Sequence, residues 1–123
     1  MADTFMQALA RQEGFYVSGS RAARNFNPGN IDYGKFAQAH GGVLETIPAG
    51  YNEQPRFAAW PDADSGFAAM RALLTSAYIG LTVADAVSKW APGIENDTGG
   101  YIAAVCQFTG MQPTDVLTAQ SIG

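Results

Sequence analysis

The chain has 123 residues, enough for one hydrophobic core that buries about two-thirds of the unfolded surface without metal or disulfide staples. Hydrophobic residues make up 47%, and seven Lys and Arg stand against eleven Asp and Glu for a net charge of −4. The basic residues are scattered, so no basic face is expected for nucleic acid; no run reaches the about 20 apolar residues of a membrane helix; and a lone Cys106 leaves neither an intrachain disulfide nor a cysteine metal site.

In chain order, Thr4 is the expected N-cap of a first helix whose Phe5, Met6, Leu9 and Ala10 share one face, ending near Gln12-Glu13-Gly14. Residues 14 to 50 are rich in Gly, Asn and Ser, with short extended candidates at Asn30–Tyr33 and Val43–Ile47 and a third at Arg56–Trp60, stopped by Pro61. Asp62 or Asp64 then caps a long helix carrying Phe67, Met70, Leu73, Leu74 and Tyr78, closed by Gly80. Thr82 to Asp85 opens the next, with Val83, Ala86, Val87 and Trp90 on its buried face and Ala91-Pro92-Gly93 at its end. Asn96, Asp97 or Thr98 caps a helix bearing Tyr101, Ile102, Val105 and Phe108, with Gly110 as its left-handed stop. Pro113-Thr114-Asp115 is expected to open a last short helix. The predicted class is α+β, mostly helical, in a single domain over residues 1–123 with a small irregular β region between the first and second helices.

The chemistry-bearing residues concentrate early. Glu13 follows an apolar helix face, where the negative end of the helix dipole and the neighbours Phe15 and Tyr16 favour the protonated carboxyl that a general acid requires. One loop later comes Arg24-Asn25-Phe26-Asn27-Pro28-Gly29-Asn30-Ile31, a turn rich in amides that suits neutral, hydroxyl-rich ligands. Asn27 and Asn30 are the expected ligand donors, and Tyr33 and Trp60 the expected stacking surfaces; Trp90, spaced with Val83 and Val87, reads as core. His40 has no second histidine for a zinc site or a nucleophilic triad, Ser18 and Ser20 lack a base partner, and Gly41-Gly42 lacks the context of a phosphate loop, so no cofactor is expected.

Glu-Gly after a short helix, Arg-Asn-x-Asn-Pro-Gly-Asn-Ile, an extended Phe-Ala-x-Trp before an Asp/Ser turn, and a Gly-x-x-Ala-x-x-x-Leu-Leu helix together resemble the peptidoglycan-cleaving lysozyme superfamily. The likeness is to phage and prophage lysozyme-like or lytic transglycosylase-like domains. Trp90-Ala91-Pro92 and Glu95-Asn96-Asp97-Thr98 with Tyr101-Ile102-Ala103-Ala104-Val105 extend it over nearly the whole chain. Similar domains often carry three asparagines before the Pro-Gly, and here Phe26 takes the middle place.

The resemblance implies a lysozyme-like fold and cleavage of the β-1,4 bond between N-acetylmuramic acid and N-acetylglucosamine. Glu13 would be the catalytic acid, and Tyr101 would stand where related enzymes aim a tyrosine hydroxyl at that acid. Between Glu13 and Ile31 there is no Asp or Glu, and Asp97 reads as an N-cap, so Asp32 is the first possible second carboxylate and is expected to be dispensable. That leaves a one-Glu inverting hydrolase or a lytic transglycosylase, in which the substrate's own C6 hydroxyl gives a 1,6-anhydro product. The implied partner is the peptidoglycan glycan strand, met during lysis or from within a virion assembly. Met-Ala-Asp-Thr carries no signal-peptide pattern, so the expectation is synthesis in the cytoplasm and action on the bacterial wall after release or delivery. The competing expectation is a lysozyme-like structural or glycan-binding module without turnover, since fold alone does not carry activity.

Overall fold

A computed structural model describes every residue except Met1 and Glu95. Among the described residues there are seven α-helices, α1 (Phe5–Gln12), α2 (Arg21–Arg24), α3 (Lys35–Ala39), α4 (Ala63–Ala77), α5 (Val83–Trp90), α6 (Thr98–Thr109) and α7 (Ala119–Ile122), and two strands, β1 (Val43–Leu44) and β2 (Ala58–Ala59). Helix accounts for 46% of the chain, with one small antiparallel sheet pairing Val43 with Ala59 and Leu44 with Ala58. No described helix is long and apolar enough to cross a membrane. The chain divides into two compact units, Glu13–Met70 and a discontinuous one of Met1–Gln12 with Arg71–Gly123.

The discontinuous unit is built from capped helices, of which α1 and α5 are strongly amphipathic and α6 is apolar on most sides. Thr4 and Gln7 cap α1 reciprocally, the Gln7 N–H donating to Thr4 Oγ1 at 3.2 Å and the Thr4 N–H to Gln7 Oε1 at 2.9 Å. Thr82 caps α5 by accepting from the Asp85 N–H, and Asp97 caps α6 by accepting from the Gly100 N–H. Gly110 stops α6 at φ +75°, the left-handed conformation that glycine adopts without a side-chain clash. Helix α6 packs against α1 and α5, and the fully buried Phe5, Leu9, Leu74, Val83, Val87, Val105, Leu117 and Ile122 form the core. Trp90, expected in the core, is only partly buried and lies edge-on to Tyr78, ring centroids 5.8 Å apart. The helix expected at Pro113–Asp115 is instead a turn in which Asp115 accepts from the Gln112 N–H; the last helix starts later, where Thr118 and Ser121 form a capping box. Glu95 of the family-like motif lies outside the described residues.

Glu13–Met70 departs further from expectation. Two short helices, α2 and α3, precede the sheet in a stretch read as irregular, so the β region lies between α1 and α4. Asn30–Tyr33 is no strand: only Asp32 pairs, in an isolated bridge with Phe57. Its apolar centre is small, made of Ala37, Ala58, Trp60 and Ala69 with Ile31 and Phe36 against them. A core this small leaves the loops to be fixed by polar side chains.

Candidate functional site

Glu13 directly follows α1 and enters a turn pinned on both sides. Gly14 has φ +85°, and its carbonyl accepts from the Val17 N–H and, at 2.6 Å, from the Ser20 hydroxyl. The same Ser20 oxygen caps α2 by accepting from the Ala23 N–H at 3.1 Å. Phe15 meets Phe67 of α4 edge-on, ring centroids 5.2 Å apart, so the segment after the acid is packed as well as hydrogen-bonded.

Opposite the acid stands Asn30. Its Nδ2 donates to Glu13 Oε1 at 3.1 Å and to the Glu13 carbonyl at 3.2 Å, so a neutral amide grips both side chain and backbone of the acid. Asn30 sits at φ +47°, a left-handed conformation that asparagine tolerates better than most residues. Its Oδ1 is buried and has no hydrogen-bond partner among the described residues.

Asn27 sets the loop. It is fully buried; its Nδ2 donates to the carbonyls of Ile31 and Ala58, both at 2.9 Å, and its Oδ1 accepts from the Ile31 N–H at 2.9 Å. Both amide hydrogens and the oxygen are therefore engaged inside the protein, and the expectation that Asn27 presents donors to a ligand is corrected: it is the clamp of the turn. Trp60 is corrected likewise. At 4% exposure it lies in the apolar centre, its indole N–H donating to the His40 carbonyl at 2.8 Å, with no ring face left for a sugar. Tyr33 is 37% exposed, and its hydroxyl accepts from Gln38 Nε2 at 3.1 Å, so its ring stays accessible. Tyr101 is buried on α6 in the helical unit. Asp32 is exposed and ion-paired to Arg56 at 3.0 Å. The residues that the fold brings together are thus Glu13 and Asn30, on a frame made by Asn27.

Sequence reasoning missed the strongest electrostatic feature of this unit. Glu45 is 4% exposed and accepts five hydrogen bonds, from Arg21 Nε (3.0 Å) and Nη2 (2.7 Å), Asn25 Nδ2 (3.0 Å), and the N–H groups of Arg56 (3.0 Å) and Phe57 (2.7 Å). Burial alone would push this carboxyl up, but the Arg21 guanidinium, Asn25 and the two N–H groups outweigh it and hold the group at about 2. An acid kept ionised so strongly cannot donate a proton to a leaving group, so Glu45 is structural. Alternation gives no usable signal, because Val43, two residues before it, is exposed while Glu45 is buried; its partners Arg21 and Asn25 lie 24 and 20 positions away. Beside it, Arg24 Nη2 donates to Glu53 Oε1 at 2.6 Å while its guanidinium lies over the Tyr51 ring, 4.3 Å from the centroid. Among the described residues no cluster of His, Cys, Asp and Glu is arranged to hold a metal ion.

No protein-family model matches this sequence, and a search of curated proteins finds no significant match.

Proposed function

We propose that the chain is a peptidoglycan-cleaving muramidase of lysozyme-like fold, acting on the β-1,4 bond between N-acetylmuramic acid and N-acetylglucosamine with Glu13 as its proton donor. The observation that carries this reading is the pairing of Glu13 with Asn30, an acid and a neutral amide on a loop that the buried Asn27 holds fixed. A glycosidase needs a carboxylic acid in a defined orientation, and an amide orients the acid without adding charge beside it. Glu13 would give its proton to the glycosidic oxygen as the bond to C1 breaks. Water, or the C6 hydroxyl of the same muramic residue, would then close on C1 and release a proton. The salt-bridged Asp32 supports a mechanism with one carboxylate. Tyr33 would offer an accessible ring to the glycan.

Mass spectrometry of muropeptides released from purified peptidoglycan tests the proposal. Wild-type protein should release disaccharide fragments, with 1,6-anhydro ends for a transglycosylase and reducing ends for a hydrolase. Glu13→Gln should lose more than about a hundredfold in rate with its fold intact, because general acid catalysis alone contributes about 10²- to 10⁴-fold. Cleavage at the wild-type rate would end the assignment of Glu13. The engagement of Asn27 and Trp60 in the fold removes two sugar contacts from the site and so favours one rival, a structural module of a virion or secretion assembly without turnover; no soluble products from peptidoglycan with a folded wild-type protein would select it.

A further inference from the structure

Phe26 stands at a backbone position that disfavours an aromatic residue. Its φ is +47°, a left-handed conformation that asparagine or glycine enters readily and that a bulky aromatic residue rarely adopts. The conformation is imposed from all sides. On one flank the Asn25 carbonyl accepts from the Trp60 N–H at 2.8 Å, and on the other the Asn27 N–H donates to the Ala22 carbonyl at 3.0 Å. The Phe26 N–H itself donates to the Ala23 carbonyl at 3.2 Å, and its carbonyl presses on α4 so closely that a Cβ on Gly66 would come within 1.9 Å of it. Its neighbours Asn25 and Asn27 are 5% and 0% exposed, yet Phe26 is 41% exposed. The backbone requires a left-handed residue and the interior takes the two flanking amides, while the aromatic residue between them stays exposed. A strained position that carries an exposed aromatic side chain points to a use outside the fold.

We propose that the Phe26 ring is a stacking platform for the apolar face of a pyranose in the glycan strand whose bond lies at Glu13. The inference rests on the glycan-cleavage reading. The loop that projects Phe26 outward is also the loop from which Asn30 holds Glu13, so one rigid turn presents an apolar surface and orients an acid. A pyranose has matching chemistry, with C–H groups on its faces and hydroxyl and N-acetyl groups on its edges. A polyanion matches poorly: no basic side chain stands between Asn25 and Ile31, and the adjacent Arg24 is held by Glu53 and the Gly19 carbonyl.

The test measures melting temperature, cleavage of peptidoglycan and affinity for a soluble peptidoglycan tetrasaccharide in wild type, Phe26→Asn and Phe26→Tyr. Asparagine suits the left-handed backbone, so Phe26→Asn should melt no lower than wild type while its affinity falls about tenfold, the scale of a contact residue worth more than 1 kcal/mol. Phe26→Tyr keeps the ring and should stay within about twofold of wild type. Unchanged affinity in Phe26→Asn, with wild type still binding and cleaving, overturns the platform and leaves the muramidase reading standing. A fall in melting temperature large enough to explain the lost affinity makes the ring structural and overturns it as well. Wild-type protein that neither binds nor cleaves the glycan overturns both.

Discussion

In Glu13–Met70 the groups that fix the backbone are polar and buried: the Asn27 amide holds Ile31 and Ala58, and the Glu45 carboxylate gathers Arg21, Asn25, Arg56 and Phe57. In Met1–Gln12 with Arg71–Gly123 the buried groups are almost all apolar, and polar side chains act at helix ends, as Thr4, Thr82, Asp97 and Thr118 do. A helix satisfies its own backbone except at its ends, whereas a loop-rich unit must satisfy buried carbonyls and N–H groups with side chains. Stability is therefore spread over many apolar contacts in the helical unit and concentrated in a few polar residues in the other.

The contrast breaks most readily at Glu45. In Glu45→Gln the new amide faces N–H donors that the carboxylate accepted and leaves Arg21 only the more distant Glu53, at 3.9 Å, as counter-charge, and unfolding in urea should show a loss of about 3 kcal/mol. The same residue sets an acid limit. Its carboxyl is depressed from an ordinary 4.5 to about 2 in the fold, so its contribution is complete above 4.5 and disappears as pH falls toward 2. That contribution is about 3 kcal/mol, and a urea midpoint in Glu45→Gln that falls between pH 5 and pH 2.5 as steeply as in wild type would remove Glu45 as its source. Next in size is Asn27→Ala, which removes the side-chain partners of the Ala58 carbonyl and the Ile31 N–H, while the Ile31 carbonyl keeps the Ala58 N–H; about 2 kcal/mol should be lost in a thermal melt, with any activity loss following the loss of fold. The smallest expected effect is Thr82→Ala, about 1 kcal/mol for a cap in the helical unit. A larger loss in Thr82→Ala than in Asn27→Ala would reverse the comparison.

The same division governs what the sequence discloses. Thr4, Thr82 and Gly110 mark helix ends by local hydrogen bonds and were legible because the partner lies within about one turn, while Asp62 and Asp97 were each legible only as one of two or three neighbouring candidates. Helices α2 and α3 were missed because four or five residues show no period; Ser20 before Arg21-Ala22-Ala23 was the one usable cap signal. At the candidate site, the nearness of Glu13 to the asparagine turn was readable from order alone, and Asn30 fits it. The roles of Asn27 and Trp60 were not, because an amide that binds backbone and one that binds sugar are the same residue in a sequence, and only the partners at Ala58 and His40, 31 and 20 positions away, tell them apart.

The discontinuity of the helical unit has a kinetic consequence. The Asp3 N–H donates to the Phe108 carbonyl, and α1 packs against α6, so the first helix waits for a partner made about a hundred residues later. Glu13–Met70 is continuous in the chain and can close on itself while synthesis proceeds. During that interval Phe5, Leu9 and the other apolar residues of α1 lack the α6 neighbours that cover them in the finished fold.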